Sequence, residues 1–133
     1  MNNLALIEAA RARPVKALAL LNRAVESNPE NEGTYVNRGN YYASVHRWKE
    51  AVEDYAQAVK INPASVVAFV ESARVHIELK REDIAIEELH AALDVDPGVH
   101  EAYVLLAAAY EKQGRKTEAA AALNEAKRLK DSD

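Results

Sequence analysis

Glu87 and His90 stand three residues apart in the stretch AIEELHAALDVDP. On a helix that spacing turns a carboxylate and an imidazole toward one side, as in helical metal-ligand pairs. A carboxylate-bridged metal site needs a second such pair and two facing carboxylates, and the sequence holds no second Glu-x-x-His. Cysteine is absent, which excludes thiolate zinc sites, disulfides and cysteine nucleophiles. There is no glycine-rich phosphate loop, no GxSxG and no HExxH. The sequence therefore predicts no catalytic residue, no metal and no cofactor, and an enzyme is not expected.

Other residues suit recognition better than catalysis. Asn37 and Asn40 lie one helical turn apart, with Arg74 in the corresponding place later in the chain. An asparagine amide offers both donor and acceptor. Beside them Val36, Val70 and Val104 recur at one interval, an apolar stripe. Arg74 is placed to pair with Glu71 or Glu78 on its own helix.

The elements that carry these residues are written in the same interval. AVEDYAQAVKINP, at 51–63, is echoed thirty-four residues later by AIEELHAALDVDP and thirty-four earlier by ALALLNRAVESNP. One small column reads Ala17, Ala51, Ala85, Ala119, and another reads Ala24, Ala58, Ala92, Ala126. Between them runs a larger column, Leu21, Tyr55, Leu89, Leu123. These positions share one helix face. Two small residues flanking a large one let a neighbouring helix approach closely. Pro29, Pro63 and Pro97 then end each helix, because proline forces its predecessor out of helical geometry. Upstream, a first helix repeats Ala5, Gly39, Ala73, Ala107 and the aromatics Tyr35, Phe69, Tyr103. The predicted helices are 2–12, 14–27, 32–45, 48–60, 66–79, 82–94, 100–113 and 116–130. They make an all-α domain of four hairpins over 1–31, 32–65, 66–99 and 100–133.

The small–aromatic–alanine–alanine–proline spacing at a 34-residue period resembles the tetratricopeptide repeat. TYVNRGNYYASVHRWKEAVEDYAQAVKINP carries the resemblance best, and the third copy departs from it at Ser72 and His76. The resemblance implies a right-handed superhelical solenoid of eight helices. Its first helices would line a concave side that commonly holds a peptide. Carried over copy by copy, that groove would include Asn3 and Leu6, then Val36, Asn37, Asn40 and Ser44. The third copy would add Val67, Val70, Glu71, Arg74 and Glu78, and the fourth Glu101, Val104, Leu105, Ala108 and Lys112. Some family members hold the acidic C-terminal tails of heat-shock chaperones in a clamp of lysines, asparagines and an arginine. Its places here read Asn2, Leu6, Asn37, Val67, Glu71, or one copy later Val36, Asn40, Glu71, Glu101, Leu105. The lysines and arginine are missing, so such tails are not expected as ligands.

The 133 residues are 49% apolar and 29% charged, a soluble globular composition. Net charge is −4, and residues 66–99 carry eight acidic side chains against three basic ones. A nucleic-acid binder shows the reverse, a concentrated basic face. The acidic third copy favours a neutral or basic peptide of another protein. Apolar runs fall short of the roughly 20 residues of a membrane span. The opening MNNLALIEAARARP reads as no signal peptide, so the cytoplasm is the expected location. An array must finish in polar faces, and Ala120 and Lys127 replace the larger apolar residues of earlier copies. Leu129 and the alanines of 119–122 fit that end less well. The alternative to an adaptor is therefore a self-associating or scaffold segment without a peptide ligand.

Overall fold

The computed structural model describes residues 14–131. Among them run seven α-helices and no strand: α1 Pro14–Ser27, α2 Glu32–Ser44, α3 Trp48–Ile61, α4 Val66–Glu78, α5 Glu82–Val95, α6 His100–Lys112 and α7 Lys116–Asp131. Each of these boundaries lies within one residue of its predicted span. The helix predicted over 2–12, with Asn3 and Leu6, lies outside the described residues.

The helix ends follow from the residues that occupy them. Asn62 and Asp96, each before a proline, are extended C-caps at φ −133° and −142°. Their side chains then accept hydrogen bonds from Ala64 N at 3.0 Å and Gly98 N at 3.0 Å. Inside the three hairpins whose turns are described, the chain turns through a left-handed residue: His46 at φ 63°, Lys80 at φ 62° and Gly114 at φ 75°. Arg47 N donates to Tyr42 O at 2.8 Å, Arg81 N to His76 O at 2.8 Å and Arg115 N to Tyr110 O at 2.9 Å. The left-handed residue itself donates back to Ala43, Ile77 or Glu111. This pair of bonds is the Schellman closure, which satisfies carbonyls that the helix end leaves open.

Packing follows the columns. Ala51, Ala58, Ala85 and Ala92 are fully buried, as are Tyr55 and Leu89 between them. One apolar cluster joins Val36, Ala51, Tyr55, Ala58, Ala68 and Val75 across the second and third hairpins. A second runs from Val70 through Leu89 to Leu106 and Ala122. Helices pair within hairpins as α2 with α3, α4 with α5 and α6 with α7. The first helices also approach each other closely, α2 with α4 and α4 with α6, whereas the backbones of α3 and α5 stay further apart. The first helices thus form the closer-packed layer. In the last copy Leu123 is 52% exposed, since no further hairpin covers it. Leu129, which the sequence marked as the awkward end residue, is only half-exposed, and Ala119 and Ala122 are buried.

Candidate functional site

A groove of about 620 Å³ opens between α2 and α4, lined by Asn40, Ala43, Ser44, His46, Trp48, Glu71, Arg74, Val75 and Glu78. Of the predicted groove residues it brings together Asn40, Ser44, Glu71, Arg74 and Glu78. Asn37 is exposed on the same helix but does not line this cavity.

Asn40 is held from below. The hydroxyl of fully buried Tyr55 donates to Asn40 Oδ1 at 2.5 Å. Burial pushes the Tyr55 hydroxyl well above the ordinary tyrosine range, helped by the Glu71 charge, so it remains a neutral donor. The bond fixes which way the amide points. It leaves Nδ2, with its two hydrogens, without a partner among the described residues.

Arg74 keeps the contact to Glu71 that its own helix suggests and adds a shorter one beyond it. Its Nη2 lies 2.6 Å from Glu101 Oε2 on α6, and its Nε lies 3.6 Å from Glu71 on α4. Burial opposes its charge, but hydrogen bonding to Glu101 and the nearby Glu71 outweigh this and hold its pKa above the usual arginine value. Arg74 therefore links two first helices rather than standing free. Glu78 enters no ion pair among the described residues.

The apolar stripe does not survive as a surface. Val36 is 9% exposed and Val70 4%. Both belong to the core instead: Val36 to the cluster that holds Ala68 and Val75, and Val70 to the one that holds Leu106 and Ala107. Only Val104, with no later hairpin beside it, remains open at 39%. Leu105 is half-buried against the same core. The interval that makes these valines look like a stripe is the interval of the core itself.

Residues 33–65 and 70–133 each match a family model of the tetratricopeptide repeat, together well over half of the chain. The chain belongs to the tetratricopeptide-repeat family. Its fold is shared with the crystal structure of MamA, at TM-score 0.85 and 21% identity over 94% of this chain and 73% of that one. MamA 41-end from Desulfovibrio magneticus RS-1 gives 0.81 and 21% over 98% and 74%. The second TPR of Spaghetti (RPAP3) bound to the HSP90 peptide SRMEEVD gives 0.73 and 17% over 80% and 98%. At these identities the likeness concerns the fold. Comparison with curated proteins returns no significant match.

Tetratricopeptide geometry also explains the polar residues that lie away from the groove. Within each hairpin the first and second helices meet at an equivalent point, and three chemistries occupy it. In the second copy Arg38 forks onto buried Asp54 at 2.7 and 2.8 Å and reaches Asn22 Oδ1 at 2.9 Å. One period on, Ser72 donates to Glu88 Oε2, and His76 Nδ1 lies 2.7 Å from Glu88 Oε1. One further period on stand Leu106 and Ala122, both buried. Ser72, His76 and Glu88 look like a nucleophile, base and orienter, but the geometry is wrong for that. Serine and carboxylate approach the same ring nitrogen, at 3.5 and 2.7 Å, so the imidazole has no separate nitrogen on the serine. The cluster is a satisfied packing element. His90, the candidate metal ligand, instead meets the Tyr110 hydroxyl at 3.3 Å.

Four groove residues escaped sequence reasoning: Ala43, His46, Trp48 and Val75. Trp48 opens α3, and His46 is the left-handed residue of the turn before it. Their rings stack with centroids 5.0 Å apart at 25°, and both line the groove. The usable signal was positional: a left-handed turn residue aims its side chain beside the first residue of the next helix.

Proposed function

We propose that this chain is a non-enzymatic protein-interaction module that holds a segment of a partner protein along its first helices. These would form the concave side of a right-handed, eight-helix superhelix spanning a single domain over 1–133. The observation that carries the reading is Asn40: Tyr55 holds its oxygen from within, and its Nδ2 donors are left for a partner's backbone carbonyl. Asn37, one turn before, adds a second donor and acceptor, while Val104 and Leu105 extend the contact onto the fourth copy. Glu71 and Glu78 line this groove and favour a neutral or basic segment. By the same argument an acid-rich peptide such as SRMEEVD, bound by the RPAP3 repeat, is not proposed as its ligand. No nucleic acid, cofactor or metal enters the reading, and the cytoplasm is its proposed location.

The test is affinity capture from native extract with the parent and with an Asn37→Ala, Asn40→Ala double variant, followed by calorimetry on the captured partner. The expected outcome is at least about fivefold weaker binding, the loss of roughly 1 kcal/mol per hydrogen bond. Circular dichroism verifies that the variant is folded. Undiminished binding would remove the groove from consideration. The second reading, self-association through the open end, is favoured by one feature, the 52% exposure of Leu123. It requires a concentration-dependent mass in sedimentation that Leu123→Glu abolishes.

A further inference from the structure

We infer that the groove between α2 and α4 contains a receptor for one cationic side chain, and that its occupant is an arginine of the partner segment. This rests on the peptide-binding reading above and names the chemistry that reading leaves open. The stacked rings of His46 and Trp48 form one wall. They are not loosely placed: His46 N donates to Ala43 O at 3.1 Å and Arg47 N to Tyr42 O at 2.8 Å, fixing the turn that carries the imidazole. A planar guanidinium stacks on such a surface, whereas a compact, strongly hydrated ammonium uses it less well.

The carboxylates of the same cavity complete the receptor. Glu78 lines it and forms no ion pair among the described residues. Glu71 lines it too, at 3.6 Å from Arg74. Arg74 does not neutralise both, because its shorter contact, 2.6 Å, goes to Glu101 outside the cavity. Arg47, the next cation along the chain, is engaged by Glu50 at 2.6 Å. The groove is thus left with unbalanced negative charge facing an aromatic wall. Asn40 Nδ2 lies in the same cavity, so a main-chain carbonyl near the arginine has its own donor.

Trp48 is the single tryptophan of the chain, so its emission reports on this wall directly. The probes are three acetylated, amidated hexapeptides, Ala-Ala-X-Ala-Ala-Ala, with X as arginine, citrulline or lysine. They are titrated into the full chain at pH 8 and at low salt. Citrulline keeps the shape of arginine without its charge. The arginine peptide is expected to give a saturable emission change, with half-saturation on the order of 1 mM. Lysine should bind more weakly and citrulline should give no saturation. Glu78→Gln, checked for folding by its thermal transition, should weaken arginine binding about fivefold, the upper range for a partly exposed ion pair. Equal responses to arginine and citrulline would overturn the cation receptor while leaving peptide binding intact. Lysine binding as tightly as arginine would overturn the stacking argument. Silence from all three peptides would also overturn the inference, and the asparagine double variant would still judge the groove itself.

Discussion

The ring of Tyr55 occupies the space that a side chain at position 39 would need: a Cβ on Gly39 meets Tyr55 Cε1 at 2.8 Å and Cδ1 at 3.0 Å. Two effects oppose each other in Gly39→Ala. Alanine is the better helix former by about 1 kcal/mol. Overpacking a filled core costs about 1–3 kcal/mol, and Tyr55 is fully buried, so it has little room to give. We expect a net loss of about 1–2 kcal/mol in urea unfolding. The neighbouring copy shows the remedy, since Ala73 there accompanies Leu89. Gly39→Ala with Tyr55→Leu should therefore be more stable than Gly39→Ala alone. An alanine variant as stable as the parent would refute the clash.

Tyr55 also gives the fold an alkaline limit. Burial raises its folded-state pKa above the unfolded value of about 10. Between those two values the unfolded chain has lost a proton that the folded chain retains. Stability is thus fully present below about pH 10 and falls as pH rises from there toward the folded pKa, by at most about 1.4 kcal/mol per pH unit for this one group. Tyr55→Phe removes this dependence, at the loss of about 1 kcal/mol for the bond to Asn40. Denaturant unfolding of both proteins from pH 8 to 11 checks the difference in slope. Parallel curves would contradict a buried, neutral Tyr55.

The sequence made the helices legible because proline, the alanine columns and the larger residue between them recur at one period. Those are local and nearest-neighbour constraints, and they are repeated. The groove was only partly legible. Asn40 was found because an amide one turn from another amide is conspicuous. Val36 and Val70 were misread because a position on the inner layer can face either a partner or the next first helix, and periodicity does not distinguish them. Their burial within the core clusters does. Arg74 reached Glu101 rather than only its own helix because the first helices lie side by side, a contact across twenty-seven residues. The stack of His46 on Trp48 depended on turn geometry, which side-chain type alone does not announce.

The ion pair of Arg38 and Asp54 should be replaceable but not divisible. The Asp54 side chain is 6% exposed and that of Arg38 21%. Asp54→Ala strands a mostly covered guanidinium, and breaking such a pair costs about 3 kcal/mol. The last copy holds Leu106 and Ala122 at the same two places, so Arg38→Leu with Asp54→Ala installs a combination the fold already uses. We expect the double variant to recover most of the loss. A double-mutant cycle by thermal unfolding measures it, and additive losses would show that the two residues act independently.

The three hairpin turns offer an experiment in which contacts hardly enter. Lys80 is exposed and sits at φ 62°, a left-handed conformation that costs a side-chain-bearing residue about 1 kcal/mol. Gly114 occupies the equivalent turn at φ 75°, and a Cβ there meets nothing within 4 Å. Lys80→Gly should therefore raise stability by about 1 kcal/mol, reduced somewhat by the greater freedom of glycine in the unfolded chain. Gly114→Ala should lower stability by about the same amount although it touches nothing. Opposite signs of similar size in urea unfolding would assign the effect to backbone conformation. A neutral Gly114→Ala would mean that this turn relaxes out of the left-handed region, in which case the bond from Arg115 N to Tyr110 O should open and Arg115 should lose its protection in amide exchange.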